Sequence, residues 1–379
     1  MRMIIILMHL LFLLACSKEE MNKFEGAIPF YKEGASNLRA STLEGKEGIQ
    51  NSIFTFASNI YTDELSQEVI VRILSDDIFL SLGKDLGFMN ITKNQVDIYK
   101  SSKDYQATLN DSHLLPFTLD KGMLYSIGFD KKEDSVSFYV REIDMDMNVL
   151  KEFKKNYTTK EVPYQSLMWG KPFFAVRSGE VKLLDSWITT PCHDPILSIF
   201  GDSFIEGTAL LINGIDRKYR WSSMVVSALG KQRCLVDGKG GEKMSEDFVK
   251  RFEIENLWYK TKYVILALGT NNYQDVKEYK KYMLQAISIL KSNGQIPILL
   301  TVTPRKDRDY EPVQEINSWI KSMNIRYIDM HKAVTDENDP MRWKENYLLY
   351  DGIHPNPEGY KAMYEQVRKD LPEIFNKDY

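Results

Sequence analysis

The chain has 379 residues, of which 43% are hydrophobic and 27% charged, and its 49 basic and 53 acidic side chains leave a formal charge of -4. This balance excludes a disordered chain, a collagen and a multi-span membrane protein, and the length suggests two domains. No stretch is dense in lysine and arginine, which argues against a nucleic-acid partner, and three cysteines without C-x-x-C spacing exclude a disulfide scaffold and a structural zinc site.

The first residues are typical of an export signal. Arg2 precedes an apolar run, residues 3–15, that is too short to be a permanent membrane helix but fits the apolar region of a secretory signal. Residues 1–15 are therefore excluded from the fold. The run ends in Leu13-Leu14-Ala15-Cys16, which resembles the lipobox of bacterial lipoproteins. That resemblance implies cleavage before Cys16 and a lipid on its sulfur; an ordinary signal with a chance cysteine is the alternative.

Residues 16–50 are predicted to be an anchor, a linker and a lead-in to the first domain. Ser17-Lys18-Glu19-Glu20 is similar to the export signal of surface lipoproteins in Bacteroidetes. The similarity implies an outer-membrane lipoprotein, exposed at the surface and attached to the membrane through Cys16. A solvated acidic linker would have the same composition.

The next part of the chain, residues 51–190, has the short alternating pattern of an all-β sandwich. Apolar and polar side chains alternate at Val69, Val71 and Ile73, and a period of two residues indicates strands. Further strands are predicted at 95–99, 124–129, 136–140 and 173–184. A jelly roll and a concanavalin-like topology both remain open, as do a carbohydrate-binding role and a role as a packing platform.

From residue 194 to the end of the chain, apolar runs alternate with segments of helical period. Strands are predicted at 196–200, 234–236, 263–268, 296–302 and 325–330. Helices are predicted at 219–229, 243–257, 275–292, 311–323 and 356–375. Parallel strands need crossover helices, so the pattern predicts a three-layer α/β/α domain with a five-stranded parallel sheet. Ligands in such sheets bind beyond the carboxyl ends of the strands.

Four short motifs lie at these strand exits and in the last long loop. In chain order they are Gly201-Asp202-Ser203-Phe204, Asp237-Gly238-Lys239-Gly240-Gly241, Gly269-Thr270-Asn271-Asn272 and Asp351-Gly352-Ile353-His354-Pro355. Together they resemble the four sequence blocks of the SGNH, or GDSL-type, hydrolases, in the same order and on the same elements. The resemblance covers about 180 residues and implies a flavodoxin-like fold for this domain and a serine hydrolase that acts on ester bonds.

A serine hydroxyl needs a base within hydrogen-bond reach before it becomes an effective nucleophile. His354 is the strongest candidate for that base because Asp351, three residues earlier, can reach Nδ1 and leave Nε2 free to face Ser203. His113 lies in the sandwich, and His193 lies at the wrong end of the sheet. His331, two residues after Asp329, is the rival, although a surface position at a strand end is the commoner role for such a histidine.

The reaction also requires donors for the oxyanion of the tetrahedral intermediate, each contributing roughly 3 kcal/mol. The resemblance implies three of them: the backbone N–H of Ser203, the backbone N–H of Gly241 and the side-chain amide of Asn271. Taken singly, these residues are equally typical of a helix cap, a flexible turn and a turn asparagine. Their occurrence at consecutive strand exits favours the catalytic interpretation.

The chain departs from the family pattern in its second and third blocks. Asp237 stands where the family usually has asparagine, and Gly240-Gly241 replaces a Ser-Gly pair, so Gly240 is an alternative donor to Gly241. Asn272 stands where aspartate is common. The G-x-S-x-G elbow of α/β-hydrolases is absent, and no His/Asp/Glu cluster has the spacing of metal ligands, so neither a metal nor a cofactor is expected.

Cys192 and Cys234 remain after lipidation of Cys16. Cys192 precedes the first strand of the parallel sheet and Cys234 begins the second, and these two strands are neighbours in the family's sheet order. The resemblance therefore leaves two alternatives, a disulfide in an oxidising compartment and two buried free thiols.

Ester hydrolysis through an acyl-serine intermediate is the predicted reaction. A surface-anchored domain of this type behind a β-sandwich is similar to the carbohydrate esterases, which implies removal of small acyl groups, above all acetyl, from a polysaccharide. The alternatives are a lysophospholipase or thioesterase, whose acyl pocket is long, and a glycan-binding lipoprotein with an inert hydrolase domain. The aromatic residues Phe204, Tyr273 and Trp343 are candidates either for the pocket wall or for the core.

Overall fold

The computed structural model describes residues 27–29, 37–39, 54–55, 64–84, 87–102, 106–132, 135–158, 161–162, 172–192 and 194–376. The predicted signal peptide, Cys16 and His193 lie outside the described residues. These residues form two compact units, one ending at Cys192 and the other beginning at Asp194. No helix in the described ranges is both long and apolar enough to cross a membrane.

The first unit consists of two antiparallel sheets, as the alternating pattern predicted. Its described strands are β1 (Ala27–Pro29), β2 (Asn37–Arg39), β3 (Phe54–Thr55), β4 (Leu65–Ile73), β5 (Phe79–Lys84), β6 (Gly87–Thr92), β7 (Gln95–Ser101), β8 (Ala107–Leu114), β9 (Leu124–Lys131), β10 (Ser135–Ile143), β11 (Val149–Thr158), β12 (Pro172–Ser178) and β13 (Glu180–Thr189). One sheet has the order β1-β13-β4-β9-β10-β11, with β2 also on β13, and the other has the order β3-β12-β5-β6-β7-β8. Strands β1 and β2 lie in the segment predicted as a lead-in, so pairing begins before residue 51.

Alternation along β4 shows how the sandwich buries its core. Val69, Val71 and Ile73 are fully buried on one face of the strand, as the period of two predicted. Ile70 on the other face is also buried, in a small separate cluster with Trp187 of β13. This sheet therefore buries apolar side chains on both of its faces.

The strand predicted at 173–184 is wrong, because the chain changes sheets in the middle of it. Strand β12 pairs with β5 in one sheet, and β13 pairs with β4 in the other. The single residue between them is Gly179, whose φ of 79° lies in the left-handed region. A Cβ at this position would lie 2.0 Å from the carbonyl oxygen of Asp77, so only glycine fits the corner.

The second unit is a three-layer α/β/α domain. Its elements are β14 (Leu197–Gly201), α1 (Ser203–Glu206), α2 (Thr208–Ile212), a 3₁₀ turn (Arg217–Tyr219), α3 (Trp221–Leu229), β15 (Cys234–Gly238), α4 (Glu246–Tyr259), β16 (Tyr263–Ala267), α5 (Val276–Ser292), β17 (Ile296–Leu300), α6 (Glu311–Ser322), β18 (Tyr327–Ile328), α7 (Met330–Val334), α8 (Pro357–Asp370) and a 3₁₀ turn (Pro372–Phe375). The five strands are parallel in the order β15-β14-β16-β17-β18. The flavodoxin-like order that the sequence predicted is confirmed, and the order reverses at β14.

Successive residues of β14 show why both faces of the sheet are covered. Ile199 belongs to a buried cluster with Trp221 of α3 and Tyr360 of α8. Phe200 points to the opposite face, where its ring lies 4.8 Å from that of Phe252 on α4. A central parallel strand must bury both faces, which explains its continuous apolar run. The short helices α2 and α7 were not predicted, because segments of five residues are too short to show a helical period.

Candidate active site

Ser203 lies at the point where the strand order reverses, immediately beyond the carboxyl end of β14. Asp202 caps α1 by accepting a 3.0 Å hydrogen bond from the N–H of Phe204, so Ser203 is the first residue of the helix. The exits of β15 and β16 flank this position, because β14 pairs with both strands. The second and third sequence motifs therefore lie beside the first, as expected for a ligand site in an open parallel sheet.

The structure brings Ser203, His354 and Asp351 into one hydrogen-bonded chain. His354 Nε2 lies 2.8 Å from Ser203 Oγ, and His354 Nδ1 lies 2.6 Å from Asp351 Oδ2. The serine and the histidine are 151 residues apart in sequence, so only the tertiary fold can join them. The arrangement has the donor and acceptor order of a nucleophile, a general base and the carboxylate that orients the base.

The loop that carries Asp351 and His354 is held by its own backbone. Asp351 Oδ1 accepts hydrogen bonds of 2.9 Å from the N–H groups of Ile353 and His354, and the N–H of Leu349 donates to the carbonyl of His354. Partial burial opposes ionisation of Asp351, but the hydrogen bonds from His354 and Ile353 outweigh it, so the pKa of Asp351 lies below its usual value. The carboxylate that faces the imidazole is therefore ionised over a wide pH range.

The three predicted oxyanion donors lie on the three neighbouring strand exits. Among the described residues, the backbone N–H groups of Ser203 and Gly241 donate no hydrogen bond within the protein. Asn271 Nδ2 donates one hydrogen bond of 3.0 Å to the carbonyl of Glu242, which leaves its second N–H free. All three donors are therefore available to a ligand.

Gly240 and Gly241 have different surroundings, which bears on the choice between them. A Cβ on Gly240 would lie 2.6 Å from a carboxylate oxygen of the buried Glu206, so this residue packs against the protein. Gly241 has a φ of 73°, and a Cβ there would meet nothing within 4 Å. The open side of the loop is therefore at Gly241.

Asn272, the departure in the third block, clamps the loop that contains Gly241. Its Oδ1 accepts a 2.9 Å hydrogen bond from the N–H of Met244, and its Nδ2 donates a 3.1 Å bond to the carbonyl of the same residue. An aspartate could accept the first bond but could not donate the second. The amide is therefore the better partner for this backbone, a role that the sequence alone did not reveal.

Asp237, the departure in the second block, belongs to a buried ionic cluster centred on Arg251. Arg251 donates to Asp237, to Glu242 and, in a very short contact, to Glu255. Tyr259 also donates to Asp237, at 3.2 Å. The backbone carbonyl of Glu242 accepts the hydrogen bond from Asn271 Nδ2. By binding the Glu242 carboxylate, the cluster therefore also stabilises the loop that contains Gly241.

The rival pair of Asp329 and His331 forms no dyad, and the predicted surface position of His331 is wrong. His331 is buried in α7, and its Nε2 lies 2.8 Å from the hydroxyl of Tyr310. Burial lowers the pKa of this imidazole. Asp329 instead accepts from Thr301 and pairs with Lys321. Both side chains therefore take part in structural contacts and do not form a catalytic dyad.

The remaining candidates also have structural roles. His113 in β8 lies 2.9 Å from Asp111 within the sandwich unit. Cys192 and Cys234 are buried and are not joined by a disulfide, so the disulfide alternative is wrong. No group of three or more His, Cys, Asp or Glu side chains that could hold a metal ion occurs in the part of the chain that the structure describes.

Two of the three aromatic candidates belong to the packing beneath the site. The ring of Phe204 is buried 5.5 Å from that of His354 and 6.5 Å from that of Trp343. Trp343 is buried as well and donates to the carbonyl of Pro304. Tyr273 is half-buried and lies under the guanidinium groups of Arg305 and Arg308.

The sequence of the second unit matches a family model. Residues 199–362 match the GDSL-like lipase/acylhydrolase family, and this range includes Ser203, Gly241, Asn271, Asp351 and His354. The C-terminal unit is a GDSL-type hydrolase domain. It is an ester-bond hydrolase of the acylhydrolase and esterase class. No curated protein matches the sequence of the chain.

Solved structures similar to this chain overlap its GDSL-type domain only at low identity. A member of the lipolytic G-D-S-L family from Veillonella parvula is 20% identical, with a TM-score of 0.40, over 47% of this chain and 99% of its own. A GDSL-like lipase from Bacteroides thetaiotaomicron is 18% identical, with a TM-score of 0.38, over 47% of this chain and 87% of its own. An acetylxylan esterase from Geobacillus stearothermophilus is 15% identical, with a TM-score of 0.35, over 50% of this chain and 98% of its own.

Asp202, next to Ser203, is a buried acid whose pKa is raised. Its Oδ2 has no hydrogen-bond partner among the described residues, and the residue lines a cavity of about 30 Å³. Burial, helped by the nearby carboxylates of Glu242 and Glu206, raises the pKa of Asp202 to about 7, against the lowering effects of the hydrogen bond from Phe204 N–H and of Arg305. Near neutral pH this side chain is therefore partly protonated.

Asp202→Asn should remove a specific pH dependence of stability. Between about pH 4 and pH 7 the folded wild type keeps a proton that the unfolded chain has released, so its free energy of unfolding falls as pH rises, by up to about 1.4 kcal/mol per pH unit. The variant lacks this contribution. We expect its advantage over wild type in urea unfolding to grow from pH 4 to 7 and to level off above pH 7.

Asp247→Asn, at an exposed position in the first turn of α4, is the matched control and should follow the wild-type curve. Parallel stability curves for wild type and Asp202→Asn across this range would show that Asp202 ionises normally in the folded protein.

Proposed function

We propose that the GDSL-type domain hydrolyses esters through an acyl-serine intermediate, with Ser203 as the nucleophile, His354 as the general base and Asp351 as the residue that orients the imidazole. The observation that supports this most directly is the hydrogen-bonded chain from Ser203 Oγ to His354 Nε2 and from His354 Nδ1 to Asp351. It supplies the proton acceptor that a serine hydroxyl lacks in water.

The carboxylate selects the tautomer that the reaction requires. An ionised Asp351 can only accept, so the proton of the neutral imidazole resides on Nδ1 and the lone pair of Nε2 faces the serine hydroxyl. When His354 takes the serine proton, the resulting imidazolium is paired with the same carboxylate. Asp351 thus orients the base and stabilises its charged form.

The reaction then follows two balanced half-reactions. Ser203 Oγ bonds to the ester carbonyl carbon while its proton moves to His354 Nε2, and the intermediate expels the alcohol, which takes that proton. Water next attacks the acyl-serine and gives its proton to His354, and collapse releases the acid as the proton returns to Ser203 Oγ. The N–H groups of Ser203, Gly241 and Asn271 are the donors for both oxyanions.

Ser203→Ala tests the nucleophile directly. It should lower kcat for p-nitrophenyl acetate by at least about 1,000-fold, because no other group can form the acyl intermediate. Ser292→Ala, at the exposed end of α5, is the control and should keep wild-type activity. Hydrolysis that survives the Ser203 substitution would refute the assignment, and a wild type inactive on all esters would favour a glycan-binding lipoprotein.

For the substrate, we propose a small acyl ester, above all acetyl, carried by a carbohydrate. The predicted export of the chain and the presence of a β-sandwich ahead of the hydrolase domain support a polysaccharide substrate. Phe204 and Trp343 support a small acyl group, because their rings fill the space beneath His354 and belong to the packed core.

This substrate preference should be visible in a series of chain lengths. We expect kcat/KM for p-nitrophenyl acetate to exceed that for the octanoate by at least about tenfold, since a pocket that rejects added methylenes loses roughly 1 kcal/mol or more of transition-state binding. Acetate release from acetylated xylan, mannan, pectin and sialoglycans would identify the carrier. A faster reaction with the octanoate would instead indicate a lysophospholipase or thioesterase.

We further propose that a lipid on Cys16 attaches the enzyme to the bacterial outer membrane. The lipobox-like sequence that ends at this cysteine supports the anchor. Cys16→Ser should abolish incorporation of radiolabelled palmitate and release the protein from the membrane fraction, because a thioether-linked diacylglycerol needs the sulfur. Unchanged labelling of this variant would show that the lipid is attached elsewhere.

A further inference from the structure

Arg305, in the loop after β17, lies next to Asn271, one of the three predicted oxyanion donors. Arg305 Nη1 donates to Asn271 Oδ1 at 3.4 Å and to the carbonyl of Thr270 at 3.3 Å. Both distances are long for a hydrogen bond, so the interaction is largely an attraction between the guanidinium charge and two oxygen dipoles. The side chain of Arg305 is only 10% exposed, which limits its screening by solvent.

The guanidinium group is held in place by two other neighbours. Asp307 accepts from Nε at 2.9 Å and from Nη2 at 2.8 Å, which is a bidentate pair. The guanidinium carbon also lies 5.5 Å from the ring centre of Tyr273. A group fixed on one edge by a carboxylate and on its face by an aromatic ring presents Nη1 in a single direction.

This direction decides which end of the Asn271 amide faces which neighbour. A guanidinium can only donate, so the amide oxygen must face Arg305. The amide nitrogen then faces the carbonyl of Glu242, where the 3.0 Å hydrogen bond is found. If the amide of Asn271 rotated by 180°, its nitrogen would face the guanidinium of Arg305, and its oxygen would face the carbonyl oxygen of Glu242. The amide would then present an acceptor, not a donor, to the oxyanion.

We propose that Arg305 is a positioning residue that keeps Asn271 in the orientation of an oxyanion donor, with Asp307 fixing the arginine. The inference rests on the proposed function, because it presupposes that Asn271 binds the oxyanion. Arg305 acts through the amide and does not contact the reacting atoms.

A double-mutant cycle tests this inference. Asn271→Ala should lower kcat for p-nitrophenyl acetate by about 100-fold, as expected for one lost oxyanion donor. Arg305→Met, which keeps an apolar stem against Tyr273, should lower kcat by about tenfold with little change in KM, since the amide then samples both orientations. In the Asn271→Ala background, Arg305→Met should have no further effect, because the amide it positions is gone.

Arg308→Met is the matched control. Arg308 also lies over the ring of Tyr273, at 4.2 Å, and near Asp307, at 3.6 Å, and among the described residues it makes no hydrogen bond to Asn271. Its substitution should leave kcat unchanged. Arg305→Lys keeps a cationic donor but loses the paired N–H groups of the guanidinium, so it should give an intermediate kcat. It serves as the second variant if the methionine variant does not fold.

The possible outcomes separate the two claims. Equal losses from Arg305→Met in both backgrounds, or an equal loss from Arg308→Met, would overturn the positioning role while leaving the esterase mechanism intact. A wild-type kcat for Asn271→Ala would remove the oxyanion role of that amide and the inference with it. An activity independent of Ser203 would instead refute the proposed function.

Discussion

The proposed activity of the C-terminal domain depends on one proton acceptor lying within hydrogen-bond distance of one hydroxyl group. Serine is a weak nucleophile at neutral pH, and in the proposed mechanism the base that it needs is His354, whose Nε2 lies 2.8 Å from Ser203 Oγ. The parallel sheet makes this contact possible because β14 delivers Ser203 to its carboxyl edge. The loop before α8 delivers His354 to the same edge from the far end of the chain. In the proposed reaction neither residue can act without the other.

The oxyanion side of the site is built by a second set of contacts, most of them to backbone groups. Asn272 pairs with both backbone groups of Met244, and Asn271 donates to the carbonyl of Glu242. Arg251 holds the Glu242 carboxylate from the interior. In the proposed mechanism this loop must hold its N–H groups ready for a charge that forms only in the transition state, without reorganising when the charge appears. Rigid backbone clamps achieve this without placing bulky side chains near the substrate.

The sequence predicted those features that have a local signal. Strand and helix positions in the second unit follow from the apolar period, and Asp351 and His354 were found because a carboxylate and an imidazole three residues apart can meet in one turn. The corner at Gly179 was missed although the sequence carried a signal for it, since residues 177–180, Arg-Ser-Gly-Glu, interrupt the apolar pattern with a glycine among polar residues. His331 was placed at the surface because nothing near it in sequence indicates its contact with Tyr310. The roles of Asn272, Arg251 and Arg305 could not be predicted, since each depends on a residue from another loop that only the folded sheet brings near.

The burial of Asp202 beside Ser203 limits the negative charge at the candidate site. In the proposed mechanism an ionised carboxylate there would oppose the oxyanion that forms next to Ser203, because their repulsion is poorly screened in a buried environment. Burial raises the pKa of Asp202 to about 7, so that at and below neutral pH a large share of the molecules carry the neutral acid. The carbonyl oxygen of a protonated carboxyl can still accept the hydrogen bond from the N–H of Phe204. The cap that starts α1 therefore survives in either protonation state, so the start of the helix at Ser203 is kept while the negative charge beside it is reduced.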